Sequence, residues 1–183
     1  MTSVWRTSGW VLLGASLVLA LSLGIRHGFG LFLPPMSAEF GWGREVFAFA
    51  IALQNLIWGL TQPFTGALAD RFGAKRTVIV GGVLYAIGLG CMGLADSPLS
   101  LSLSAGLLIG IGLSGTSFSV ILGAVGRAVP MEKRSMAMGI AAAAGSFGQF
   151  AMLPGTLGLL SWLGWSVALM ALGLLVALII PLA

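Results

Sequence analysis

The sequence predicts an all-α integral membrane protein whose six transmembrane helices form two three-helix repeats. Three observations carry that reading. The 183-residue chain is 58% hydrophobic and only 8% charged, with a mean hydropathy of +1.06. A soluble domain carries roughly 25% charged residues, so this chain has too little polar surface to cover a water-exposed fold. The apolar runs reach the roughly 20 residues that a helix needs to cross a bilayer, and short polar breaks separate them. The cations gather in those breaks on one side. The 28 glycines sit inside the apolar runs, where they let membrane helices approach closely.

The spans are expected at 9–35, 44–69, 76–95, 98–126, 134–160 and 163–182. The first ends at Pro34-Pro35, ahead of Glu39, and the second at Asp70-Arg71-Phe72-Gly73. Asp96-Ser97-Pro98 closes the third, Pro130 to Arg134 follows the fourth, and Ser161 to Gly164 joins the fifth to the sixth. Arg6 followed by an apolar run resembles a signal peptide, but the run is too long and leads to Arg26 rather than a cleavage site, so it reads as a retained span. With the amino terminus in the cytoplasm, Arg6, Arg71, Lys75, Arg76, Arg127, Lys133 and Arg134 face inward. Only Arg44 lies outside, and Arg26 lies within the membrane. This bias puts both termini in the cytoplasm of a multi-pass protein of the cell (inner or plasma) membrane. Gly24/Gly115, Pro63/Pro154, Gly73/Gly164 and Gly82/Gly173 share an offset of 91 (115 − 24 = 173 − 82). Two repeats, approximately 1–95 and 96–183, would leave that echo.

The net charge of +4 comes with no basic stripe, which argues against nucleic acid as a partner and for lipid. Cys91 sits alone in an apolar run, excludes an internal disulfide and reads as a small buried hydrophobe. No metal cluster, phosphate loop or dinucleotide fingerprint appears, so no cofactor is expected. Gly112-Leu113-Ser114-Gly115 matches the surroundings of a rhomboid-type nucleophile, but the single histidine lies in the first span rather than a later one. An enzyme is not expected.

The turn between the second and third spans reads Gly66-Ala67-Leu68-Ala69-Asp70-Arg71-Phe72-Gly73-Ala74-Lys75-Arg76. Asp70 falls at a helix carboxyl end, where the macrodipole disfavours an anion. It needs a cation or another helix's amino end, and Arg71, Arg76 and Arg127 are the candidates. Lys75 and Arg76 serve topology equally well. At every fixed position this stretch resembles the signature loop of the major facilitator superfamily. The resemblance implies one half of a twelve-helix transporter. Gly66, Asp70, Arg71, Gly73, Lys75, Arg76 and Arg127 would then latch the cytoplasmic gate between the halves.

A second stretch, Arg26 to Pro35 followed by Glu39-Phe40-Gly41-Trp42-Gly43-Arg44-Glu45, is similar to the monocarboxylate and oxalate–formate branch, with Gly43 in place of the usual Ser. Gly145-Ser146-Phe147-Gly148-Gln149 looks like that branch's fifth helix, and the Gly-Pro-Gly-Gly type motif of drug–proton antiporters is missing. This resemblance implies secondary active transport of a small, monocarboxylate-like organic anion by alternating access, with symport as the expected mode. The partners would be the anion, a coupling proton, and either a carboxy-terminal half or a second copy of the chain. The competing readings are a homodimerising six-helix carrier or channel, and a non-transporting half-transporter fragment.

Arg26 and His27 are the sharpest feature inside the membrane. A central Arg costs ~2.5–3.5 kcal/mol on insertion scales and is functional by default. Arg26 offers bidentate geometry for a carboxylate. By alignment on Leu31-Phe32-Leu33, His27 falls where related carriers place a lysine. Adjacent helical positions point ~100° apart, which separates the two. The bland alternative has Arg26 holding carbonyls and His27 packed neutrally. With no carboxylate deep in a span, proton coupling would have to use His27 or a group in the other half of the transporter. Gln54, Asn55 and Gln149 complete the expected substrate-binding set. Interhelical bonding is the commoner role of such polar groups, as it is for Ser114, Thr116 and Ser117. Gly106, Gly110, Gly112, Gly115, Gly145 and Gly148 read as packing notches.

Overall fold

The computed structural model describes the backbone of residues 2–183 and the side chains of residues 8–183, so the side chain of Arg6 lies outside the described residues. Every regular element described is helical. In chain order they are α1 (Thr2–His27), a 3₁₀ segment (Gly28–Phe32), α2 (Leu33–Phe40), α3 (Arg44–Phe72), α4 (Ala74–Gly93) and α5 (Pro98–Leu101). A π segment (Ser102–Leu108), α6 (Ile109–Gly115), α7 (Phe118–Ala128), α8 (Met131–Ala177) and α9 (Ile179–Leu182) follow. Four stretches of the described residues are long and apolar enough to cross a membrane: Ser8–Phe40, Ala74–Gly93, Pro98–Ala128 and Met131–Leu182.

The sequence reading expects six. Arg44–Phe72 has 29 residues but carries Gln54, Asn55, Thr61, Gln62 and Thr65 among its apolar positions, and it is not one of the four. Met131–Leu182 has 52 residues, ~78 Å at 1.5 Å per residue, more than twice a ~30 Å hydrocarbon core. Its backbone leaves the helical region at Gly164 (φ 76°, ψ 169°).

Two expected breaks move. The first helical stretch does not stop at Pro34-Pro35. It tightens into the 3₁₀ segment, and the prolines occupy the first turn of α2, where a fixed φ and a missing N–H are best tolerated. The real stop is Gly41, left-handed at φ 67°. Arg26 therefore lies 14 residues inside the end of its helical stretch (40 − 26). The Gly66–Arg76 turn is shorter than expected. Gly66 to Phe72 are helical, α4 begins at Ala74, and Gly73 alone (φ 92°, ψ 142°) makes the junction. A left-handed backbone at that position suits glycine because it has no Cβ.

Glycine also sets the helix spacing. A Cβ on Gly148 would stand 2.2 Å from the Ala20 carbonyl oxygen, and one on Gly24 would stand 2.6 Å from that of Gly148, so α1 and α8 meet backbone to backbone. Gly112 and Gly81 do the same for α6 and α4. Gly106, Gly110, Gly115 and Gly145 also face close neighbours on other helices, as packing notches should. Gly93 would meet the Ser166 carbonyl at 2.8 Å, and Ser166 Oγ donates to the Gly93 carbonyl at 2.5 Å.

Cys91 corrects an expectation: it is exposed. The inward face of α4 runs Gly81, Tyr85, Gly88, Leu89 and Met92 at helical spacing, and Cys91 falls off that stripe. Tyr85 is fully buried and donates to the Ser22 carbonyl at 3.1 Å, while Ser22 Oγ and Thr116 Oγ1 share a hydrogen bond at 2.8 Å. These bonds tie α1, α4 and the α6–α7 junction together.

Between α6 and α7 the helix is interrupted at Thr116 and Ser117, where Ser117 is extended (φ −89°, ψ 176°). Hydroxyls cover the nearby carbonyls: Ser117 Oγ donates to Ser114 O at 2.9 Å, Thr116 Oγ1 to Gly112 O at 3.2 Å, and Thr65 Oγ1 reaches Ser114 O from α3 at 3.3 Å. An apolar surrounding demands such cover, because an unpaired backbone group there costs several kcal/mol. At the opposite end of the bundle Phe40 stacks on Trp42 at 4.3 Å and meets Trp165 edge-on at 5.6 Å, and Trp165 Nε1–H donates to Glu39.

If the α1–α8 contact sets the bundle, Gly148→Ala destabilises it by about 1–3 kcal/mol through overpacking. Gly155→Ala, with open space at its Cβ, does not. Thermal unfolding of the two variants in one detergent distinguishes them, and equal melting points would contradict the packing account.

Candidate functional site

Arg26 closes the last turn of α1 and His27 follows it at the 3₁₀ junction. The half-buried Arg26 reaches across to α3, where its Nη2 donates to Asn55 Oδ1 and its guanidinium carbon stands 4.7 Å from the Trp58 ring centroid. Asn55 Nδ2 donates in turn to the Ile51 carbonyl one turn back at 3.0 Å. Arg26 Nε and Trp58 Nε1 are buried without partners.

Arg26 and Asn55 border an open cleft of about 550 Å³ between the end of α1 and α3, lined also by His27, Phe29, Gly30, Leu33, Phe47, Ile51 and Gln54. Arg26 and His27 thus edge the same cleft in spite of their angular separation along the helix. Exposed His27 makes no described hydrogen bond and also borders a second opening of about 450 Å³, with Ser146, Gln149, Phe150, Leu153 and Pro154 of α8. The end of α1 is a partition between the two, with His27 on its crest.

The other expected ligands divide. Gln149 is half-buried at the wall of the second opening. Asn55 is exposed beside Arg26. Gln54 is fully buried, and its Nε2 donates to the Ala105 carbonyl at 2.7 Å, linking α3 to the π segment, while its Oε1 lacks a partner. Trp58 is absent from the sequence reading. The available signal was its position three residues after Asn55, on the same face of the helix.

At the other end of α3, Asp70 pairs with Arg127 at the end of α7, Nη1 to Oδ1 at 3.0 Å. Of the three cations the sequence offered, Arg127 is the partner. Arg71 lies over the Phe72 ring at 5.2 Å, and Arg76 is exposed. Asp70, Gly73, Lys75 and Arg127 border one pocket of about 480 Å³. Gly66 lies inside α3 with open space at its Cβ.

The sequence matches the Major Facilitator Superfamily over residues 5–183. The chain belongs to that family. It is therefore a multi-pass membrane protein of a transporter family and not an enzyme. It is 34% identical over 166 residues to monocarboxylate transporter 11 of Mus musculus, covering 90% of this chain and 37% of that protein. Monocarboxylate transporter 13 of Bos taurus is 32% identical over 163 residues, 88% of this chain and 38% of the relative. Multidrug resistance protein MdtH of Proteus mirabilis is 38% identical over 96 residues, 50% of this chain and 24% of the relative. The chain spans less than two fifths of the length of these relatives.

Both partners of the Asp70–Arg127 pair are more than half exposed. A double-mutant cycle with Asp70→Asn and Arg127→Gln should therefore return a coupling of about 0.2–1 kcal/mol, falling as salt is added. A coupling several-fold larger, or one insensitive to salt, would contradict the exposed geometry.

Proposed function

We propose that this chain forms one half of a secondary active transporter that moves a small, monocarboxylate-like organic anion by alternating access. Six spans, both termini in the cytoplasm and two three-helix repeats go with this reading. Arg44–Phe72 would cross as the second span despite its polar residues, and Met131–Leu182 would cross twice, dividing at Gly164. Gly73 and Gly164, 91 positions apart, have the same left-handed extended backbone at their junctions, which supports the repeat. The second bundle is a carboxy-terminal half or another copy of the chain.

The observation that carries the reading is the guanidinium of Arg26, inside the apolar bundle and at the wall of an open cleft, with neutral groups as its partners. An ion in such a place is functional by default, and a planar guanidinium suits a carboxylate. The names of the mouse and bovine relatives agree with a monocarboxylate. His27, Asn55 and Gln149 contribute from the walls, and Gln54 braces α3 from behind. The similarity to MdtH favours a second reading, export of an apolar drug.

Uptake into proteoliposomes tests both. A panel of formate, acetate, lactate, pyruvate and oxalate is offered with and without an inward proton gradient. At least one is taken up by the intact protein, faster with the gradient if transport is symport. Arg26→Ala loses that uptake, and His27→Ala blunts the response to the gradient. Unchanged rate and saturation in both variants would remove the anion site, and, with a lipophilic cation offered in parallel, transport of that cation alone would favour the drug reading.

The Asp70 end acts as the cytoplasmic latch. Its anion at the carboxyl end of α3 is held by Arg127 from α7, with Arg71, Lys75 and Arg76 around it and Gly73 as the joint. Asp70→Asn then raises maleimide labelling of a cysteine placed on the cytoplasmic side of the cleft, and labelling equal to the parent protein would sink the latch.

A further inference from the structure

We propose that Asn55 and Trp58 are positioning residues for anion binding, holding the Arg26 guanidinium without neutralising it. The proposal rests on the anion reading of Arg26 and assigns a role to two side chains of α3.

A charged group inside an apolar bundle needs partners, and the usual partner of an arginine there is a carboxylate. Such a pair would leave little positive charge for a ligand. Arg26 has none among the described residues, and the Asp70–Arg127 pair lies at the far end of α3. Its partners are an amide oxygen and the face of an indole. Both stabilise a cation, and neither cancels its charge.

The geometry also decides which edge of the guanidinium is free. Trp58 covers one face. Nη2 is engaged by Asn55, and Nε is shut away without a partner. Nη1 has no partner and is not enclosed, so the end carrying the two terminal nitrogens is the one open to an incoming carboxylate. Asn55 cannot turn to release it. Its Nδ2 is tied to the Ile51 carbonyl at 3.0 Å, and a flipped amide would set donor against donor. Trp58 follows Asn55 by three residues and so falls on the same face of α3. One helix therefore supplies both the clamp and the platform.

The requirement is chemical neutrality at position 55 and an aromatic face at position 58. The test is concentration-dependent uptake of the best-transported member of formate, acetate, lactate, pyruvate and oxalate by the intact protein in liposomes. Asn55→Asp, nearly isosteric, should raise KM more than tenfold with expression and melting temperature preserved, because its carboxylate pairs with Arg26 and displaces the ligand. Trp58→Phe should stay within about threefold of the parent KM, and Trp58→Leu should exceed it clearly.

KM within twofold of the parent for Asn55→Asp, or equal behaviour of the Phe and Leu variants, overturns the positioning role and leaves the anion reading standing. A fall in kcat and melting temperature at unchanged KM marks the two residues as structural and also overturns it. If the parent protein moves none of the five anions, the anion reading falls and takes this role with it.

Discussion

A guanidinium held half-buried in an apolar bundle is the constraint from which the rest of this structure follows. Taking Arg26 partly out of water demands compensation, and the bundle supplies it from one neighbouring helix, through Asn55 and Trp58. That demand accounts for Asn55 and Trp58 on one face of α3. Gln54 faces backwards to the Ala105 carbonyl and fixes α3 to the helix behind it, while Asn55 and Trp58 face the charge. The cleft lies between α1 and α3, which Arg26 and Asn55 bridge, whereas α1 and α8 close to backbone contact around Gly24 and Gly148.

The bundle keeps its backbone satisfied while departing repeatedly from ideal helix. The 3₁₀ segment after His27, the π segment before Ile109 and the interruption at Thr116–Ser117 all lie within long apolar stretches. Irregular backbone survives in such surroundings only where protein groups cover it. Ser114, Thr116, Ser117 and Thr65 provide that cover around the last of these. The interruption separates the Ser22–Tyr85–Thr116 cluster from α7, whose end carries Arg127 to its contact with Asp70.

Much of this could be read from the sequence, for reasons tied to particular residues. The membrane character rests on composition and run length, which no tertiary contact can reverse. The Asp70–Gly73 junction was visible because an anion at a helix end and a glycine at a turn each have local causes, yet local causes left three cations eligible, and only packing selects Arg127. Pro34-Pro35 misled the placement of the first break. Proline excludes the interior of a helix but is welcome in a first turn, and sequence alone does not reveal that α2 restarts there. Cys91 was misplaced because an apolar run is buried on one side only. The weight of Trp58 was hidden for a further reason: its meaning depends on a charge 32 residues earlier (58 − 26), brought to it by the pairing of two helices.

The most direct test is whether a bound carboxylate touches Arg26. Solid-state nuclear magnetic resonance on the intact protein in bilayers, with ¹⁵N-labelled arginine and the transported anion labelled with ¹³C at its carboxyl carbon, reads that separation. The account predicts carbon–nitrogen dipolar coupling at hydrogen-bonding range, abolished by Arg26→Lys, whose ammonium lacks the labelled fork. Coupling that survives Arg26→Lys, or none at all at a saturating concentration of an anion the protein demonstrably transports, would contradict it.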